Sequence, residues 1–448
     1  MTNSEWLNTR FALALPVIVL ASAIGCVGRQ SGSEVSGKLN ADTDSEPAKE
    51  IPVTSPPVST ADAPLDEVVL DIDKLLAKQL PAEKLDEGWV QLFDGQSLFG
   101  WLSTGKADWQ VVDGSIRVSK GERSYLCTSF QVSDFEMLVD FQCSAETNSG
   151  IFLRTGPKPG SVETECLELN IAPTDNPFPT GSFVGRKRLE PSELGELDHD
   201  AWHTYRIKVQ GANVEVHLDG KQIMSLDDVE VAERGYVSLQ HNSGPIAFRN
   251  IMMRPLYAES LSVGEDWEAD WTKEVKEGAT MDVASTDQGL AIEGGLGQLQ
   301  SKADFGDFWL QAKYSLATPD VNSGIFFRCI RESMLDGYEC QVNHSMKDGD
   351  PETPGDGGAG AIFRRQNARA VISDGTSPTH VSVLASGNQI STWINGVQVV
   401  DFLDTRKLDA NPRRGLRTEP GPISLQGHDP TTKAVYHSIQ VSSLSKAE

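Results

Sequence analysis

The sequence predicts an all-β protein made of two tandem antiparallel β-sandwiches. The first observation is a seven-residue motif, Asn-Ser-Gly-Ile-Phe-Leu/Phe-Arg, which occurs at 148–154 and again at 322–328 and is called the repeated motif below. The second is the alternation of apolar and polar residues in segments such as 135–143, which is typical of a half-buried strand. The third is the abundance of turn residues between short strand-like segments, with almost no helical periodicity, which favours a sandwich.

The two copies of the repeated motif lie 174 residues apart, and the same features surround each copy in the same order. An Asp-Phe pair precedes the motif; a strand containing Glu, a turn with glycine and a Leu-Gln pair follow it. The corresponding pairs are Asp134-Phe135 and Asp307-Phe308, Glu168 and Glu339, Asp219-Gly220 and Asn395-Gly396, and Leu239-Gln240 and Leu425-Gln426. Because solenoid repeats have periods of roughly 20–50 residues, this spacing indicates the tandem duplication of a whole domain.

The duplication predicts a first domain over 87–257 and a second over 265–445. The segment 65–86 precedes them with apolar residues at helical spacing, and we expect it to form a short helix that packs on the first domain. The segment 27–64 contains no aromatic residue and is rich in Ser, Pro, Asp, Glu and Thr. Such a composition cannot bury enough apolar surface to offset chain entropy, so a disordered linker is predicted.

Residues 1–26 have the pattern of an export signal. An apolar run from Phe11 to Ile24 follows Arg10 and is short for a membrane span. It ends in Ala-Ile-Gly-Cys26, which resembles a bacterial lipobox, although Ala replaces the usual leucine. The prediction is an exported lipoprotein, lipidated at Cys26 and anchored to a membrane facing the periplasm or the cell exterior. A plain secretory signal or an uncleaved anchor remains the alternative.

Charge and cysteine usage exclude several classes of function. The net charge of −25 argues against a nucleic-acid partner, because phosphates are bound through Lys and Arg. Five cysteines remain besides Cys26, and no CxxC pair occurs among them. This odd number fits neither a disulfide framework nor a zinc site, so most are expected to be buried apolar residues, although export makes one disulfide possible.

A set of motifs in a fixed order carries a family resemblance. They are Phe93-Asp94-Gly95, Gly100-Trp101, Trp109 with Asp113-Gly114, the repeated motif, Trp202-His203-Thr204-Tyr205, Leu239-Gln240 and Phe248-Arg249-Asn250-Ile251. Together they resemble the 3-keto-disaccharide hydrolase family, over about 88–256 in full and over 267–444 in a degraded form. The resemblance implies a concanavalin A-like jelly-roll sandwich and a carbohydrate substrate.

The substrate class that the resemblance implies sets a chemical requirement. A ketone at C3 acidifies the hydrogen at C2, so the glycosidic oxygen at C1 can leave by elimination, and water can then add to the enone. This route needs a base near C2, a donor or metal for the enolate oxygen and an acid for the leaving group. It does not need the paired carboxylates of an ordinary glycosidase. No cofactor is implied with certainty, and a divalent metal of unknown identity is possible.

Three residues of the first domain are the candidate catalytic groups. Glu168 is the first choice for base or metal ligand, with a solvated strand carboxylate as the alternative. Arg154 ends an apolar strand segment, where it could polarise the ketone or form a structural pair with Glu168 or Asp140. His241 follows Leu-Gln, one position away from the usual histidine of the family, and could carry protons or bind a metal.

The remaining candidates are assigned to substrate binding. Asn170 lies two residues from Glu168 and shares its strand face, while Asn148 is either a ligand or a turn residue. Glu339 and Gln341 repeat the Glu168 and Asn170 pair in the second domain. The full substrate-binding set is Asn148, Asn170, Gln240, Glu339, Gln341, Arg328 and His428.

Departures from the family pattern leave other functions open. The Gly-x-x-Tyr segment of the family reads 181–184 and 360–363 here, and both copies lack the tyrosine. One alternative is therefore a non-catalytic carbohydrate-binding lipoprotein for polysaccharide capture, and another is a second domain that only buttresses the first. A third is a glucanase-like arrangement of Glu163, Glu165 and Glu168, although residues 163 and 168 would point to opposite faces of a regular strand.

Overall fold

The computed structural model describes residues 70–444. The predicted signal, the lipidated Cys26 and the linker at 27–64 lie outside the described residues. Within 70–444 there are 24 strands and only three short α-helices, which confirms the all-β prediction. No helix in this part of the chain has the length and apolar character needed to cross a membrane. The α-helices are α1 Ile72–Leu76, α2 Ala82–Asp86 and α3 Pro191–Leu194, and three 3₁₀ turns lie at Trp267–Ala269, Lys347–Gly349 and Gly355–Gly357.

The first domain is a sandwich of two antiparallel sheets. Strands β11-β10-β9-β6-β13-β4-β3 form one sheet, with β1 also paired to β13, and β2-β5-β12-β7-β8 form the other. The strands are β1 Val90–Gln91, β2 Trp101–Thr104, β3 Gln110–Val112, β4 Ser115–Val118, β5 Ser124–Thr128, β6 Phe135–Cys143, β7 Asn148–Thr155, β8 Leu167–Ile171, β9 His203–Gln210, β10 Asn213–Leu218, β11 Lys221–Leu226, β12 Tyr236–Ser243 and β13 Ile246–Pro255.

The second domain repeats this pairing in a single 11-stranded sheet. Its order is β19-β18-β23-β16-β24-β17-β20-β21-β22, with β14 paired to β24 and β15 paired to β16. The strands are β14 Glu259–Leu261, β15 Trp271–Thr286, β16 Gly289–Ser301, β17 Phe308–Leu316, β18 Ser323–Phe327, β19 Tyr338–Val342, β20 Thr379–Ser386, β21 Gln389–Ile394, β22 Val397–Leu403, β23 Ser424–Gly427 and β24 Lys433–Ser443.

The two domains correspond strand for strand, except that two pairs of strands are fused in the second. β16 pairs with β24 over Leu290–Glu293 and with β23 over Gly297–Gln300. It therefore occupies the positions that β4 and β5 have in the first domain. The chain turns from one layer to the other near Gly294 and Gly295. At Gly295 any Cβ would meet the backbone of Asp429 at 2.2 Å, so only glycine fits at this corner.

Alternation in the strands builds the two cores as the sequence predicts. Phe135, Met137, Val139 and Phe141 are buried on one side of β6, while residues between them are partly exposed towards its end. They pack against the apolar side chains of the facing sheet, such as Ile151. All five cysteines in 70–444 are buried, as expected, and no two of them form a disulfide.

The helical lead-in was predicted to pack on the first domain, but its buried apolar contacts are with the second domain. It forms two short helices, and its buried residue Leu75 joins the core of the second domain. Leu80 lies against Gly396 of the second domain, while Asp71 and Gln96 of the first domain exchange hydrogen bonds at 2.9 and 3.0 Å. The lead-in therefore contacts both domains.

The two domains share buried surface. Trp309 and Trp393 point outwards from the second sheet and join the core of the first domain. Their rings stack at 5.9 Å, and Phe130 of the first domain lies edge-on to Trp393 at 5.6 Å. The Trp393 indole nitrogen donates to the backbone oxygen of Gln91 at 2.9 Å. The two jelly rolls are therefore parts of one folded unit.

Replacement of Trp393 by alanine tests this shared core. We expect Trp393→Ala to lower the free energy of unfolding by about 3–5 kcal/mol, because a buried aromatic side chain between the domains is replaced by a cavity. Urea denaturation followed by tryptophan fluorescence and by circular dichroism measures the change. Leu408→Ala, at a side chain that is 76% exposed, is the matched control and should change stability by less than about 0.5 kcal/mol. A loss as small as that of the control would contradict the shared core.

Candidate functional site

The repeated motif forms β7 in the first domain and β18 with its flanking residues in the second. β7 lies between β12 and β8 in the five-stranded sheet. Ile151 and Leu153 point into the core, so Asn148, Gly150 and Phe152 face the opposite side of this sheet. That side is called the site face below.

Glu168 lies on the site face because Gly150 leaves room for it. In the register of β7 and β8, Phe152 pairs with Glu168 and Gly150 with Asn170. A Cβ on residue 150 would stand 3.1 Å from both Cγ and Oε1 of Glu168. The Glu168 carboxyl group therefore extends from β8 towards β7 and lies next to Gly150 of the repeated motif.

The second domain repeats this arrangement. Gly324 pairs with Gln341, and a Cβ on residue 324 would lie 2.9 Å from Oε1 and 3.0 Å from Cγ of Glu339. The glycine of the motif thus has the same role in both copies: it makes space for a glutamate from the neighbouring strand.

The serine of the motif fixes the strand that carries Leu-Gln. Ser149 Oγ donates to the backbone oxygen of Gln240 at 2.7 Å, and Ser323 Oγ donates to that of Gln426 at 2.8 Å. Gln240 pairs with Gly150 and so lies on the site face. Its side chain hydrogen-bonds to the Glu168 carboxylate, whereas its Oε1 is buried without a partner.

Burial gives both glutamates an unusual acidity. Glu168 is only 7% exposed, and burial raises its pKa to about 7, although the positive charge of Arg123 and the Gln240 hydrogen bond act in the opposite direction. Burial likewise raises the pKa of Glu339 to about 7, and the negative charge of Asp356 adds to the effect. Arg413 and Arg364 partly offset it. Each domain therefore holds a carboxyl group suited to proton transfer near neutral pH.

Arg154 does not lie at this site, in contrast to its assignment as a catalytic residue. Its guanidinium is 4% exposed and donates to the backbone oxygens of Ser133 at 2.8 Å and Gly211 at 2.6 Å, and to Asp134 Oδ1 at 2.6 Å. A structural pair was the correct alternative, but the partner is Asp134 rather than Glu168 or Asp140. These contacts join the end of β7 to the segment before β6 and to the turn between β9 and β10.

Arg328 has the same structural role in the second domain, so its assignment to substrate binding is also wrong. It is fully buried and donates to the backbone oxygens of Gly306 and Gly387 and to Asp307 Oδ1, the last at 2.7 Å. Both arginines have a left-handed backbone, with φ of 49° at Arg154 and 48° at Arg328.

His241 lies on the other side of the sheet from Glu168. It pairs with Ser149 and Ser124, whereas its neighbour Gln240 pairs with Gly150 on the site face. His241 is buried, its Nδ1 has no partner, and burial lowers its pKa. The structure therefore does not bring His241 and Glu168 together.

The other candidate residues divide between the two domains. Asn170 lies on the site face with its amide nitrogen bonded to the backbone oxygen of Phe178, and its Oδ1 is buried without a partner. In the second domain, Asn322 and Gln341 both donate to Asp356 Oδ2, at 3.0 and 2.9 Å. His428 follows β23 with a 43% exposed side chain, and its Nδ1 lies 2.8 Å from Asp429 Oδ2.

Two residues of the site face were missed in the sequence. Tyr125 pairs with Gln240 across β5 and β12, and its ring meets Phe152 edge-on at 5.3 Å. Arg123 precedes Tyr125 by two residues, and its positive charge lowers the pKa of Glu168. Only the register between β5 and β12 shows that these residues face Glu168, and sequence spacing does not contain that register.

The glucanase-like arrangement is excluded by the position of its first two residues. Glu163 and Glu165 lie in an exposed turn before β8, whereas Glu168 is buried within the strand. The three carboxylates do not share a strand.

The donor groups beside Glu168 do not form a metal site. Its neighbours on the site face are amide, aromatic and guanidinium groups, whereas divalent cations are held by several carboxylate, imidazole or thiolate ligands. Across residues 70–444, no three His, Cys, Asp or Glu side chains are grouped so that they could hold a metal ion.

Removal of Arg154 should affect stability. We expect Arg154→Ala to cost about 3 kcal/mol of unfolding free energy, because Asp134 and two backbone oxygens lose a buried donor. Arg188→Ala, which removes an exposed pair with Glu190, should cost less than about 1 kcal/mol. Chemical denaturation of both variants measures this. Equal losses of unfolding free energy in the two variants would contradict a stabilising role for the buried Arg154.

Glu168→Gln should stabilise the protein at alkaline pH. Since the folded pKa of about 7 exceeds the ordinary 4.5, the folded state binds more protons between these values, and stability falls as the pH rises through this window. At pH 8 the neutral glutamine should raise the free energy of unfolding by roughly 2–3 kcal/mol. The gain should shrink at pH 5, and Glu165→Gln should show none. A gain that is equal at the two pH values would contradict the elevated pKa.

The comparisons with known proteins agree with the duplicated site. The model of the 3-keto-alpha-glucoside-1,2-lyase-like domain family matches 88–254 and 258–442, which is more than three-quarters of the chain. No curated protein matches the chain significantly. A solved protein named as a candidate glycosyl hydrolase from Parabacteroides distasonis is 21% identical, with a TM-score of 0.34, over 40% of this chain and 98% of its own.

A second protein named in the same way, from the same organism, is 24% identical with a TM-score of 0.32, over 38% of this chain and 99% of its own. The carbohydrate binding module CBM66 from Bacillus subtilis is 13% identical with a TM-score of 0.27, over 35% of this chain and 95% of its own. The two regions matched by the family model coincide with the two sandwiches. The chain belongs to the 3-keto-alpha-glucoside-1,2-lyase-like domain family, a family of carbohydrate-active domains, and carries two tandem copies of its domain.

Proposed function

We propose that the first domain cleaves 3-keto-glycosides by elimination and hydration across C1 and C2. The observation that carries this proposal is the buried Glu168, whose pKa of about 7 fits a general base and which lies on the site face at Gly150. The family description names a lyase of the same substrate class and supports the elimination step.

In the first step the Glu168 carboxylate removes the proton at C2. The electron pair of the C2–H bond forms the C1–C2 double bond, and the bond between C1 and the glycosidic oxygen breaks. The leaving oxygen takes up the proton that Glu168 received from C2, so Glu168 is ionised again. The ketone at C3 makes the C2 hydrogen acidic because negative charge spreads onto its oxygen. In the second step water adds across the double bond, with hydroxyl at C1 and a proton at C2.

The neighbours of Glu168 have roles that follow from their positions. The Gln240 side chain orients the carboxylate through its hydrogen bond. Arg123, on the same face, supplies positive charge that can stabilise the oxygen of the enolate. Asn148 is partly exposed at the edge of this face, where its amide can donate to a sugar hydroxyl. Arg154 has no part in the chemical steps.

A non-catalytic carbohydrate-binding protein is the second candidate function. Tyr125 and Phe152 place aromatic rings beside the amide of Gln240 on the site face, and aromatic rings with a few polar groups are common in binding sites. The chain also lacks the tyrosine of the family pattern, with Val184 at that position. Export and lipidation at Cys26, which the sequence favours, would present either function at a membrane surface.

Turnover of a chromogenic 3-keto-α-glucoside separates the two functions. We expect Glu168→Gln to lower kcat by about 10²–10⁴-fold, because the base is lost. For the unsubstituted chain, kcat/KM should rise as the pH increases through about 7, since only the ionised Glu168 accepts a proton.

Glu165→Gln is the matched control, because it removes an exposed carboxylate three residues away. Assays with and without a chelator show whether turnover needs a metal. An unsubstituted chain that binds the substrate without cleaving it would favour the binding function, and full turnover by Glu168→Gln would overturn the assignment of the base.

A further inference from the structure

The second domain places an arginine where the first domain has glycine. In each copy a tight turn returns the chain towards the site glutamate: Phe183 and Lys187 pair across the first turn, and Ile362 and Gln366 pair across the second. The corresponding turn residues are Gly185, with φ of 71°, and Arg364, with φ of 58°. A left-handed backbone favours glycine, so the turn itself does not explain the arginine.

Further positive charges converge on the same region from a second segment. Arg365 donates to the backbone oxygen of Arg413 at 2.6 Å, which joins the turn to the segment after β22. Burial lowers the pKa of Arg365, and the charges of Arg406 and Arg413 lower it further. Aspartates balance part of this charge: Arg406 pairs with Asp404 at 2.7 Å, and Arg413 lies 3.6 Å from Asp336.

The segment after β22 differs in charge from its counterpart in the first domain. Residues 227–234, between β11 and Gly235, contain four acidic side chains and one basic side chain. Residues 404–420, between β22 and Gly421, contain three acidic and five basic side chains. This reversal stands out in a chain with a net charge of −25.

The basic side chains border the site of the second domain. The Arg413 guanidinium lies 5.6 Å from the centre of the Phe326 ring, and Phe326 pairs with Glu339. The positive charges of Arg364 and Arg413 both lower the pKa of Glu339, against the effect of burial. Gln426, which is 7% exposed and lies next to Gly324 on this face, has a buried Oε1 without a hydrogen-bond partner. The site of the second domain therefore has basic side chains at its border, called the basic rim below, and a buried polar atom that has no hydrogen-bond partner.

We propose that the second domain binds an acidic saccharide, a uronate or a sulfated sugar, with Arg364 as a principal contact to the anion. The proposal rests on the proposed carbohydrate function of the domain pair. Arg364 forms no ion pair within 70–444, and its guanidinium lies 5.1 Å from the Phe363 ring centre. Guanidinium groups bind planar carboxylates and sulfates through paired hydrogen bonds. The sugar would then lie beside the exposed Arg364, next to the nearly buried Glu339 and Gln426.

Calorimetric binding to the full chain tests this proposal, with cellobiose, cellobiouronic acid and cellobiose 6-sulfate as probes. All titrations use the Glu168→Gln variant, so binding is measured apart from turnover in the first domain. We expect at least one acidic probe to bind at least fivefold more tightly than cellobiose, and the ranking of the two identifies carboxylate or sulfate as the preferred anion. Arg364→Gly, which restores the residue of the first domain, should remove most of this preference.

Lys120→Ala is the matched control, because it removes one exposed positive charge from the first domain and should leave the preference unchanged. Arg364→Gly relieves a left-handed arginine, so we expect it to fold at least as stably as the parent. Equal binding of the three probes, or an unchanged preference in Arg364→Gly, would overturn the proposal. Loss of keto-glycoside turnover in the parent chain instead concerns only the first domain, so the two failures are distinguishable.

Discussion

The buried arginine at the end of the repeated motif is the contact on which each sandwich depends. Arg154 and Arg328 each bind an aspartate before one strand and a carbonyl oxygen in a hairpin turn of the facing layer of strands. Each contact therefore fixes one sheet against the other at the same end of the domain. Because a buried guanidinium is costly without partners, the partners must be retained with it. This explains why the motif survives in both copies.

The remaining residues of the motif position the candidate functional site. Its serine holds the neighbouring Leu-Gln strand, and its glycine leaves room for a glutamate from the strand on the other side. The glutamate is thereby buried over backbone rather than over another charged group, which raises its pKa. The same backbone feature that supports the fold thus also creates the proposed base.

The two copies have kept this arrangement and changed its surroundings. Asp356 and a basic rim lie beside Glu339, whereas Arg123 and Tyr125 lie near Glu168. The shared core at Trp309 and Trp393 makes the second copy a structural part of the first. With that support fixed, the loops around each site could diverge towards different ligands, since loops tolerate change better than packed strands.

The sequence by itself determined the duplication and the all-β fold and marked Glu168 as a candidate, because repeated order and strand alternation are local patterns. It did not determine which residues join Glu168. Arg154 is bound to Asp134, and His241 faces the other side of its strand. Tyr125 lies in β5 and Arg123 directly precedes it, and the sequence does not contain the register of this strand. Only tertiary structure decided these points, because a shift of one residue in strand pairing moves every side chain to the opposite face.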